Sequence, residues 1–269
     1  MANDASKVQL IKDGEIWLKD YEPGEAVPTG PDFNPAVHDY AHAGYYSSDG
    51  FTLHPEIGDT SEHKAQNGEV VLEDDQPGFF TIAFSGLETR KEIAEAYFDV
   101  VINPDGSFTV ITVGSSRRYT MFIRGVDQSG EQMIFAHLPK LKVSDREDMT
   151  FNIETLRAYG LTFKTFQGEG DVAYHLKVWD KLLDTRPVVT GAEPPEAETG
   201  DEVTITGLNF TGATNVKFGA TNAADFDVVS DTEITAEMPA GSAGSAAVKV
   251  TTPAGESNSF AYTRGGSGA

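Results

Sequence analysis

The segment GDEVTITGLNFTGATNVKFG, residues 200–219, alternates apolar and polar residues and is interrupted by Gly and Asn at turn positions. Further alternating segments follow at short spacing, at residues 225–239, 246–255 and 258–263. Short strands separated by turn signals are typical of an antiparallel β-sandwich of immunoglobulin-like size. We therefore predict such a sandwich at the C-terminal end of the sequence.

The stretch DTRPVVTGAEPPEAETGDE, residues 184–202, is rich in Pro, Gly and Glu, which interrupts any regular pattern. A chain of 269 residues, 39% of them hydrophobic, is long enough for two domains that each bury a core. We place the boundary near Arg186. The predicted domains are 1–186 and 187–264, followed by a flexible tail at 265–269.

The second domain resembles the IPT/TIG family of Ig-like domains. The resemblance runs from Pro187 to Tyr262 and rests on the core GDEVTITGLNF, the strand KFG, the segment SDTEITAEMP and the closing FAY. It implies a C-terminal Ig-like β-sandwich, here in a chain without cysteine. The absence of cysteine also excludes disulfides and thiolate metal sites.

Charge and hydropathy exclude several classes of partner. The sequence has 42 acidic and 20 basic residues, a net charge of -22, and the acidic surplus is present in both predicted domains. Nucleic-acid binding needs cationic groups that release counterions, so it is disfavoured.

The N-terminal MANDASKVQL lacks the apolar run of a signal peptide, so we expect no Sec export. No stretch approaches the roughly 18 apolar residues of a membrane span, so no membrane partner is expected.

The first 186 residues read mainly as strands. Residues 8–20 alternate around Asp13-Gly14, which predicts a hairpin turn there, and the Pro/Gly-rich residues 21–35 predict an extended arm or loop. Further strands are predicted within 51–56, 68–74, 78–86, 98–114, 117–143, 161–166 and 171–179, several joined by Asp-Gly or Ser-Gly turns.

One segment, TRKEIAEAYF at 89–98, has a helical pattern. Thr89 and Glu92 have the spacing of a capping box, and Ile93, Ala96 and Tyr97 fall on one helical face. The first domain is therefore predicted to be β-rich with one flanking helix.

The stretch DYAHAGYYSSDGFTLHPEIGDTSEHKAQNGEVV, residues 39–71, resembles the beginning of major tail (tail tube) proteins of long-tailed phages, siphovirus type. Two further likenesses are FFTIAFSGLETRKEIAEAYF and LTFKTFQGEGDVAYHLKVWD, so the resemblance covers most of residues 5–182. It departs from the family in the Pro-rich arm and in parts of 56–68. The residues that match the family's turn are Gly44, Tyr45, Ser47, Asp49, Gly50 and Thr52.

This resemblance implies a tail-tube β-sandwich or barrel whose copies form hexameric rings that stack into a hollow tail. The implied function is structural and not enzymatic: a conduit through which phage DNA passes without specific binding. The implied partners are further copies of the chain, the tape measure protein and other tail proteins. The implied location is the virion tail, assembled in the host cytoplasm, with the Ig-like domain outside. Many weak copies of that domain could bind host-surface glycans by avidity, and the sequence leaves its ligand open.

In the resembling family the loop at 56–69 contacts the neighbouring ring. Its candidate contact residues here are Glu56, Asp59, Glu62, Lys64 and Glu69. Ile57 is the one large apolar residue of this loop, so the loop buries little surface by itself. We expect it to be poorly ordered in the monomer and to become ordered on assembly.

The search for catalytic, cofactor and metal sites gives none. GxSxG, Walker A and HExxH motifs are absent, and GEGDVA at 168–173 precedes a strand pattern where a dinucleotide site needs a helix. His38 and His42 have a metal-binding spacing without an obvious third ligand. Asp225, Asp227 and Asp231 lack the rest of a calcium loop, so solvated side chains are the expected state of all five residues.

Two questions stay open at this level. The carboxylates either line a lumen that repels DNA or merely keep the protein soluble. The short cationic stretch Arg117-Arg118 is expected in a solvated turn. The alternative function is a secreted or surface glycan-binding or glycan-active protein in which the IPT/TIG domain is a spacer. Trp17 and Trp179 are its candidate sugar platform, although scattered aromatic residues usually belong to a core.

Overall fold

The computed structural model describes residues 11, 13–25, 27–112, 114, 116–127, 129 and 132–266. Residues 267–269 of the predicted tail, and residues 8–10 and 12 of the first predicted strand, lie outside the described residues. The chain divides into two compact units, Met1–Leu182 and Leu183–Ala269. The predicted mainly β fold class is confirmed. Within the described residues, no helix has the length and apolar character needed to cross a bilayer.

The strands of the N-terminal unit are β1 (Asp13–Asp20), β2 (Ala41–His42), β3 (Tyr46–Glu56), β4 (Thr60–Lys64), β5 (Val70–Asp75), β6 (Phe79–Gly86), β7 (Tyr119–Val126), β8 (Gln132–Arg146), β9 (Tyr159–Thr165) and β10 (Lys177–Asp180). Eight of them form an antiparallel sheet in the order β2-β1-β7-β8-β9-β6-β3, with β10 paired to β8 outside this path. The two remaining strands, β4 and β5, pair with each other.

One face of the eight-stranded sheet forms the main core. Alternate side chains of each strand point to this face, as period-2 patterning requires, and helix α1 (Lys91–Phe98) packs onto it. Removing each large apolar side chain from water contributes about 2 kcal/mol. The members of this core are Ile16, Leu18, Ala43, Ile82, Phe84, Ile93, Ala94, Ala96, Tyr119, Met121, Ile123, Ala136, Leu138, Leu141, Val143, Tyr159, Leu161 and Phe163.

The two ends of the sheet approach each other, because β2 and β3 lie at opposite ends of the strand order but are separated by only three residues in the chain. The Ala43 amide donates to the Ile16 carbonyl (2.7 Å), and the Tyr46 hydroxyl donates to the Gly14 carbonyl (2.7 Å). A Cβ at Gly14 would lie 2.6 Å from the Tyr46 hydroxyl oxygen and 2.8 Å from the Phe51 ring. The sheet is therefore curled like a barrel, and only glycine fits at position 14 without displacing these rings.

This contact corrects the prediction of a hairpin turn at Asp13-Gly14. Both residues begin β1 and pair with Val126 and Gly125 of β7. The Asp-Gly dipeptide resembles a turn signal, but here glycine is required by a side chain that approaches its backbone from β3.

The other face of the sheet, over β1, β7 and β8, carries a small aromatic core of Tyr40, Phe122 and Phe135. The segment that precedes β2 covers it, as predicted for an arm, and Phe33 of that segment stacks on Phe122 at 4.9 Å between ring centroids. Lys19 fixes the arm by an ion pair with Glu25 (2.6 Å).

The predicted helix exists, but its predicted capping box is wrong. Helix α1 begins after Arg90, and no side chain caps its first turn. The Thr89 hydroxyl instead accepts hydrogen bonds from Arg157 (2.9 Å) and from the Tyr159 hydroxyl (3.4 Å). Ile93 and Ala96 are buried as predicted, and Tyr97 packs against the same core.

The strand pair predicted within residues 98–114 is also wrong. The Asp-Gly turn is present, with the Gly106 amide donating to the Asn103 carbonyl (2.9 Å), but the flanking residues form no strand among the described residues. Val101 and Ile111 are exposed, so this segment has the alternation of a strand without a partner strand in the described chain.

The C-terminal unit is a β-sandwich without a helix in its described residues. The strands are β11 (Val188–Glu193), β12 (Glu196–Ala197), β13 (Glu202–Leu208), β14 (Asn215–Phe218), β15 (Thr221–Asn222), β16 (Phe226–Ser230), β17 (Glu233–Glu237), β18 (Gly244–Ser245), β19 (Val248–Thr252), β20 (Gly255–Glu256) and β21 (Thr263–Arg264). They form three sheets, with the orders β11-β13-β17-β16, β15-β14-β19-β20 and β12-β21-β18. Val203, Ile205, Val216, Phe218 and Val250 are fully buried or nearly so between these sheets.

A buried histidine links the aromatic core to β10. His137 is 3% exposed, stacks on Phe122 at 4.5 Å between centroids, and lies 2.8 Å from the Tyr174 hydroxyl through Nδ1. Burial, together with the positive charge of Lys177, lowers the pKa of His137 from 6.5 to about 3. The ring is therefore neutral in the folded protein across the physiological range.

We predict that His137 makes the N-terminal unit sensitive to acid. Below pH 6.5 the unfolded chain binds a proton at this residue and the folded chain does not, so the free energy of unfolding falls as the pH drops from 6.5 towards about 3. The loss is at most about 1.4 kcal/mol per pH unit. Denaturant unfolding at several pH values should show a shallower dependence for His137→Gln than for wild type. The exposed His63→Gln is the control, and equal slopes in all three proteins would contradict the prediction.

Candidate functional site

The hairpin of β4 and β5 is the most distinctive surface of the N-terminal unit. Every residue of both strands is exposed, and neither strand pairs with the eight-stranded sheet. The hairpin lies between the end of β3 and the start of β6. It carries the predicted contact residues: Glu56 ends β3, Asp59 and Glu69 precede the two hairpin strands, and Glu62 and Lys64 lie in β4.

Residues 56–69, described above as a loop, include the paired strand β4. Their poor order in the free monomer stays a prediction. Glycines at the base of the hairpin bring the two limbs together: a Cβ at Gly58 would lie 1.6 Å from the Gln76 carbonyl oxygen, and one at Gly78 would lie 2.6 Å from the Glu56 carbonyl oxygen. Gly68 has φ +87° at the tip. The role of these glycines in strand pairing depends on carbonyl groups that lie far from them in the sequence, so the sequence pattern does not reveal it.

Electrostatic repulsion weakens this hairpin. Residues 56–78 contain seven acidic residues and one lysine. Glu62 lies directly opposite Glu73, and like charges in this position are destabilising. Lys64 binds Glu62 (3.0 Å), and the Thr60 hydroxyl donates to Asp75 (2.7 Å). A two-stranded hairpin is marginally stable in water, and the repulsion between Glu62 and Glu73 lowers the stability of this one further.

The predicted turn at Gly44–Gly50 is a bulged strand. Tyr46 pairs with Gly86 and Phe51 with Phe84, so the residues between them, including Ser47, Asp49 and Gly50, bulge out of β3. Gly44 and Gly50 take the positive φ values of +81° and +76° that favour glycine.

The exposed Tyr45 is fixed through its backbone. Its amide donates to Glu88 (3.1 Å), and its carbonyl accepts from the Leu87 amide (2.8 Å). Hydrogen bonds from the Tyr45 amide and the Arg90 guanidinium hold the pKa of the Glu88 carboxyl below its ordinary value. These contacts hold the phenol ring of Tyr45, 78% exposed, on the surface.

Arg117 is not in a solvated turn, contrary to the prediction. Its guanidinium is 21% exposed, binds Asp20 and Glu95, and donates to the Val100 carbonyl (3.0 Å). Glu95 is buried and also accepts from the Ile102 amide (2.8 Å). Sequence reasoning missed this network because Glu95 falls on the buried face of α1, where apolar residues are the expectation. Arg118 stacks on Phe166, so neither arginine is a free phosphate-binding group.

The face of β3, β6, β9 and the second half of β8 that is opposite the main core carries mostly small polar side chains. Lys142 and Lys164 are direct cross-strand partners on this face, and the Lys164 ammonium lies 3.5 Å from the centroid of the Phe79 ring. The face therefore presents hydroxyl groups and two lysines together with carboxylates, because Glu56 pairs with Phe79, Asp145 pairs with Thr162, and Glu147 accepts from the Ser85 hydroxyl (3.1 Å). Its other members are Thr52, His54, Thr81, Ala83, Ser85 and Thr162.

The structure keeps the candidate metal ligands apart. His38 stacks on Phe33, whereas the His42 ring accepts the Gly44 amide through Nδ1 (2.9 Å) and contacts Trp17 edge-on. Asp231 accepts from the Thr211 hydroxyl (2.6 Å). Within the described residues, no three His, Asp or Glu side chains are grouped as metal ligands.

The tryptophans and the glycine-rich segment also have structural settings. Trp17 and Trp179 are partly buried against the aromatic core of Phe122 and Phe135. Residues 170–172 of the GEGDVA segment form a single 3-10 turn, without the helix that a dinucleotide site requires.

The C-terminal sandwich matches a known family. Its five aromatic side chains, Phe210, Phe218, Phe226, Phe260 and Tyr262, all belong to or pack against its core, and the Tyr262 hydroxyl donates to the Pro194 carbonyl (2.6 Å). The IPT/TIG domain family matches residues 187–263. These residues form an IPT/TIG domain. Phe210, Phe218 and Tyr262 lie in the core of this IPT/TIG domain, and Phe226 and Phe260 are partly buried against it.

Comparison with solved structures gives only distant likenesses. The γ-CGTase of alkalophilic Bacillus clarkii is 16% identical with a TM-score of 0.28, over 77% of this chain and 26% of that chain. The anti-feeding prophage cap, which terminates the AFP tube, is 10% identical with a TM-score of 0.30, over 61% of this chain and 87% of that chain. SGBP-B of Bacteroides uniformis is 16% identical with a TM-score of 0.27, over 58% of this chain and 47% of that chain.

These structural likenesses carry no argument about function, since all three TM-scores are low. The chain spans about a quarter of the length of the γ-CGTase chain. No curated protein sequence matches the chain. Beyond the IPT/TIG domain, function has to be argued from the surfaces of the N-terminal unit.

We predict that Glu73→Lys stabilises the β4–β5 hairpin of the free protein. The substitution replaces the Glu62–Glu73 repulsion by an opposite-charge pair. A cross-strand pair contributes up to about 1 kcal/mol, so the hairpin amides should exchange with deuterium up to about fivefold more slowly. Asp74→Lys makes the same charge change opposite Ser61 and is the matched control. An equal slowing in both variants would show that total charge, and not this pair, determines the effect.

Proposed function

We propose that the chain is the structural subunit of a phage tail tube, in which copies form stacked rings around a conduit for DNA. The family resemblance implies that each ring is a hexamer. The N-terminal unit forms the tube wall, and the IPT/TIG domain decorates its exterior. The subunit acts by assembly and has no enzymatic role. Its partners are other copies, the tape measure protein and further tail proteins of the virion, which assembles in the host cytoplasm.

The observation that carries this proposal is the detached, fully exposed hairpin of β4 and β5. It combines a concentration of acidic residues with the exposed apolar side chains of Val70, Val71 and Leu72. The hairpin does not pair with the eight-stranded sheet and exposes apolar side chains, so burial against another molecule would stabilise it. This favours self-assembly over the function of a monomeric binding module.

Lateral contacts within a ring have a candidate in the outer edge of β3 beyond Phe51, where the strand has passed its contact with Gly14 of β1. This strand ends the order of the eight-stranded sheet and pairs only with β6 within the described residues. The backbone groups of an unpaired edge bind a neighbouring strand or copy readily. Joining the sheets of successive copies at this edge would produce a continuous wall.

The conduit requires that DNA slides without being held. The chain-wide surplus of acidic residues gives repulsion, screened over about 10 Å at moderate salt. The IPT/TIG domain, repeated many times on the tube, would bind host-surface glycans through avidity even where each contact is weak.

The alternative proposal is a glycan-binding or glycan-active protein with the IPT/TIG domain as a spacer. Negative-stain electron microscopy of the purified full chain separates the two functions. Rings or tubes support the tail subunit. Persistent monomers that bind or release sugars support the alternative and contradict the tail subunit.

We predict that deletion of residues 187–269 leaves ring and tube formation intact. The N-terminal unit has its own sheet and its own core, so assembly surfaces should survive without the IPT/TIG domain. Microscopy of the truncated protein beside the full chain provides the measurement. Loss of all rings and tubes in a truncated protein that remains folded by circular dichroism would exclude a dispensable decoration.

We predict that neither the monomer nor assembled tubes retain duplex DNA at roughly 150 mM salt. Non-specific affinity depends on Lys and Arg groups that neutralise phosphates, and Arg117 is already occupied by Asp20 and Glu95. A gel-shift assay at micromolar protein concentration tests both states. Retention by tubes would overturn the repulsive conduit, and loss of that retention in the double variant Lys142→Gln, Lys164→Gln would identify the cationic surface responsible.

A further inference from the structure

A groove of about 860 Å³ lies beside α1, between the segment that follows the helix and the loop that joins β8 to β9. Phe98, Ile102 and Phe108 form one side, and Met149 and Phe151 form the other. The rim is more apolar than a solvated loop surface, because Phe151 is 77% exposed and the nearby Ile153 and Leu156 are also exposed. Exposed apolar clusters of this kind mark interaction surfaces.

The charge of the groove is opposite to that of the chain. Arg90, Lys91 and Arg157 line it, and none of its described lining residues is acidic. Arg90 pairs with Glu88 (2.7 Å), and Lys91 lies 3.7 Å from Glu95. Arg157 contacts the ring of Tyr159 and the Thr89 hydroxyl. Glu88 and Glu95 therefore neutralise two of these cations, and Arg157, which contacts a ring and a hydroxyl group, is the one that makes the groove suited to an acidic and apolar ligand.

The hairpin of β4 and β5 has the complementary composition. Its Glu73, Asp74 and Asp75 directly follow the exposed Val70, Val71 and Leu72. The repulsion between Glu62 and Glu73 is relieved when cations approach the hairpin from outside. Apolar contact and charge therefore favour the same pairing of surfaces.

The topology separates the two surfaces within one subunit. Glu56 pairs with Phe79 where the hairpin leaves the sheet, whereas Gly86 pairs with Tyr159 at the opposite end of β6, next to the groove. The eight residues of β6 span on the order of 25 Å. The hairpin and the groove therefore belong to opposite ends of the sheet, and their contact joins two copies head to tail.

We propose that the groove beside α1 is the receptor for the β4–β5 hairpin of a second copy of the chain. The proposal rests on the tail-tube function and specifies the contact by which one ring is stacked on the next. A head-to-tail contact of this type propagates along an axis when its rotation does not close a ring. Because opposite charges meet at an exposed surface, stacking weakens as salt is raised.

The cysteine-free sequence allows a direct test by disulfide cross-linking. One full-length variant carries Leu72→Cys in the hairpin and another carries Phe151→Cys in the groove; both positions are exposed, so folding should be preserved. When the two variants are mixed, assembled and oxidised, we expect a covalent dimer whose linked peptides contain positions 72 and 151. Leu72→Cys mixed with Thr211→Cys, an exposed position of the IPT/TIG domain, is the matched control and should give no such product.

A second variant tests the charge. Arg157→Glu should decrease the fraction of protein in tubes about tenfold while rings remain, whereas Lys217→Glu, the same change in the IPT/TIG domain, should have little effect. Tubes that form without the 72–151 cross-link, or Arg157→Glu tubes that form as well as wild type, would overturn the hairpin–groove contact and leave the tail-tube function standing. Wild-type protein that gives neither rings nor tubes would contradict the tail-tube function itself, and the cross-link would then report on the hairpin contact alone.

Discussion

The contact between the Tyr46 hydroxyl and the Gly14 carbonyl determines the form of the N-terminal unit. It joins β3 to β1 across a sheet in which these strands lie near opposite ends of the order. The curl produced by this contact encloses the main core and allows α1 to cover it. The same curl leaves the β4–β5 hairpin outside, because the hairpin begins where β3 has already passed the closed region.

Local patterning predicted the strands whose two faces have different environments. β6 and β9 alternate strictly because one face meets the core and the other meets water, and Ile82, Phe84, Leu161 and Phe163 are buried as that pattern requires. The C-terminal domain was predictable for the same reason, together with ordered motifs that span it. Alternation failed at residues 108–112, where β-prone residues have no partner strand in the described chain.

The candidate site was less predictable, because its properties come from contacts between distant residues. Glycine at positions 14 and 58 looks like turn composition, but each is required by an atom brought from another strand. The sequence predicts Arg117 to be a surface charge, whereas in the fold it forms ion pairs with Glu95 and Asp20. The acidic composition of residues 56–69 is visible in the sequence. The pairing of this segment with β5 is visible only in the fold, and so is the groove at the other end of the sheet.

The position of the hairpin and of α1 at opposite ends of one sheet gives the subunit a direction. Any end-to-end stack of this chain terminates differently at its two tips: one tip presents acidic hairpins and the other presents cationic, apolar grooves. In the proposed stack, a protein bound at one tip would therefore meet a different surface from a protein bound at the other tip. The polarity of such a filament follows from the fold of each subunit, because the two ends of its sheet differ.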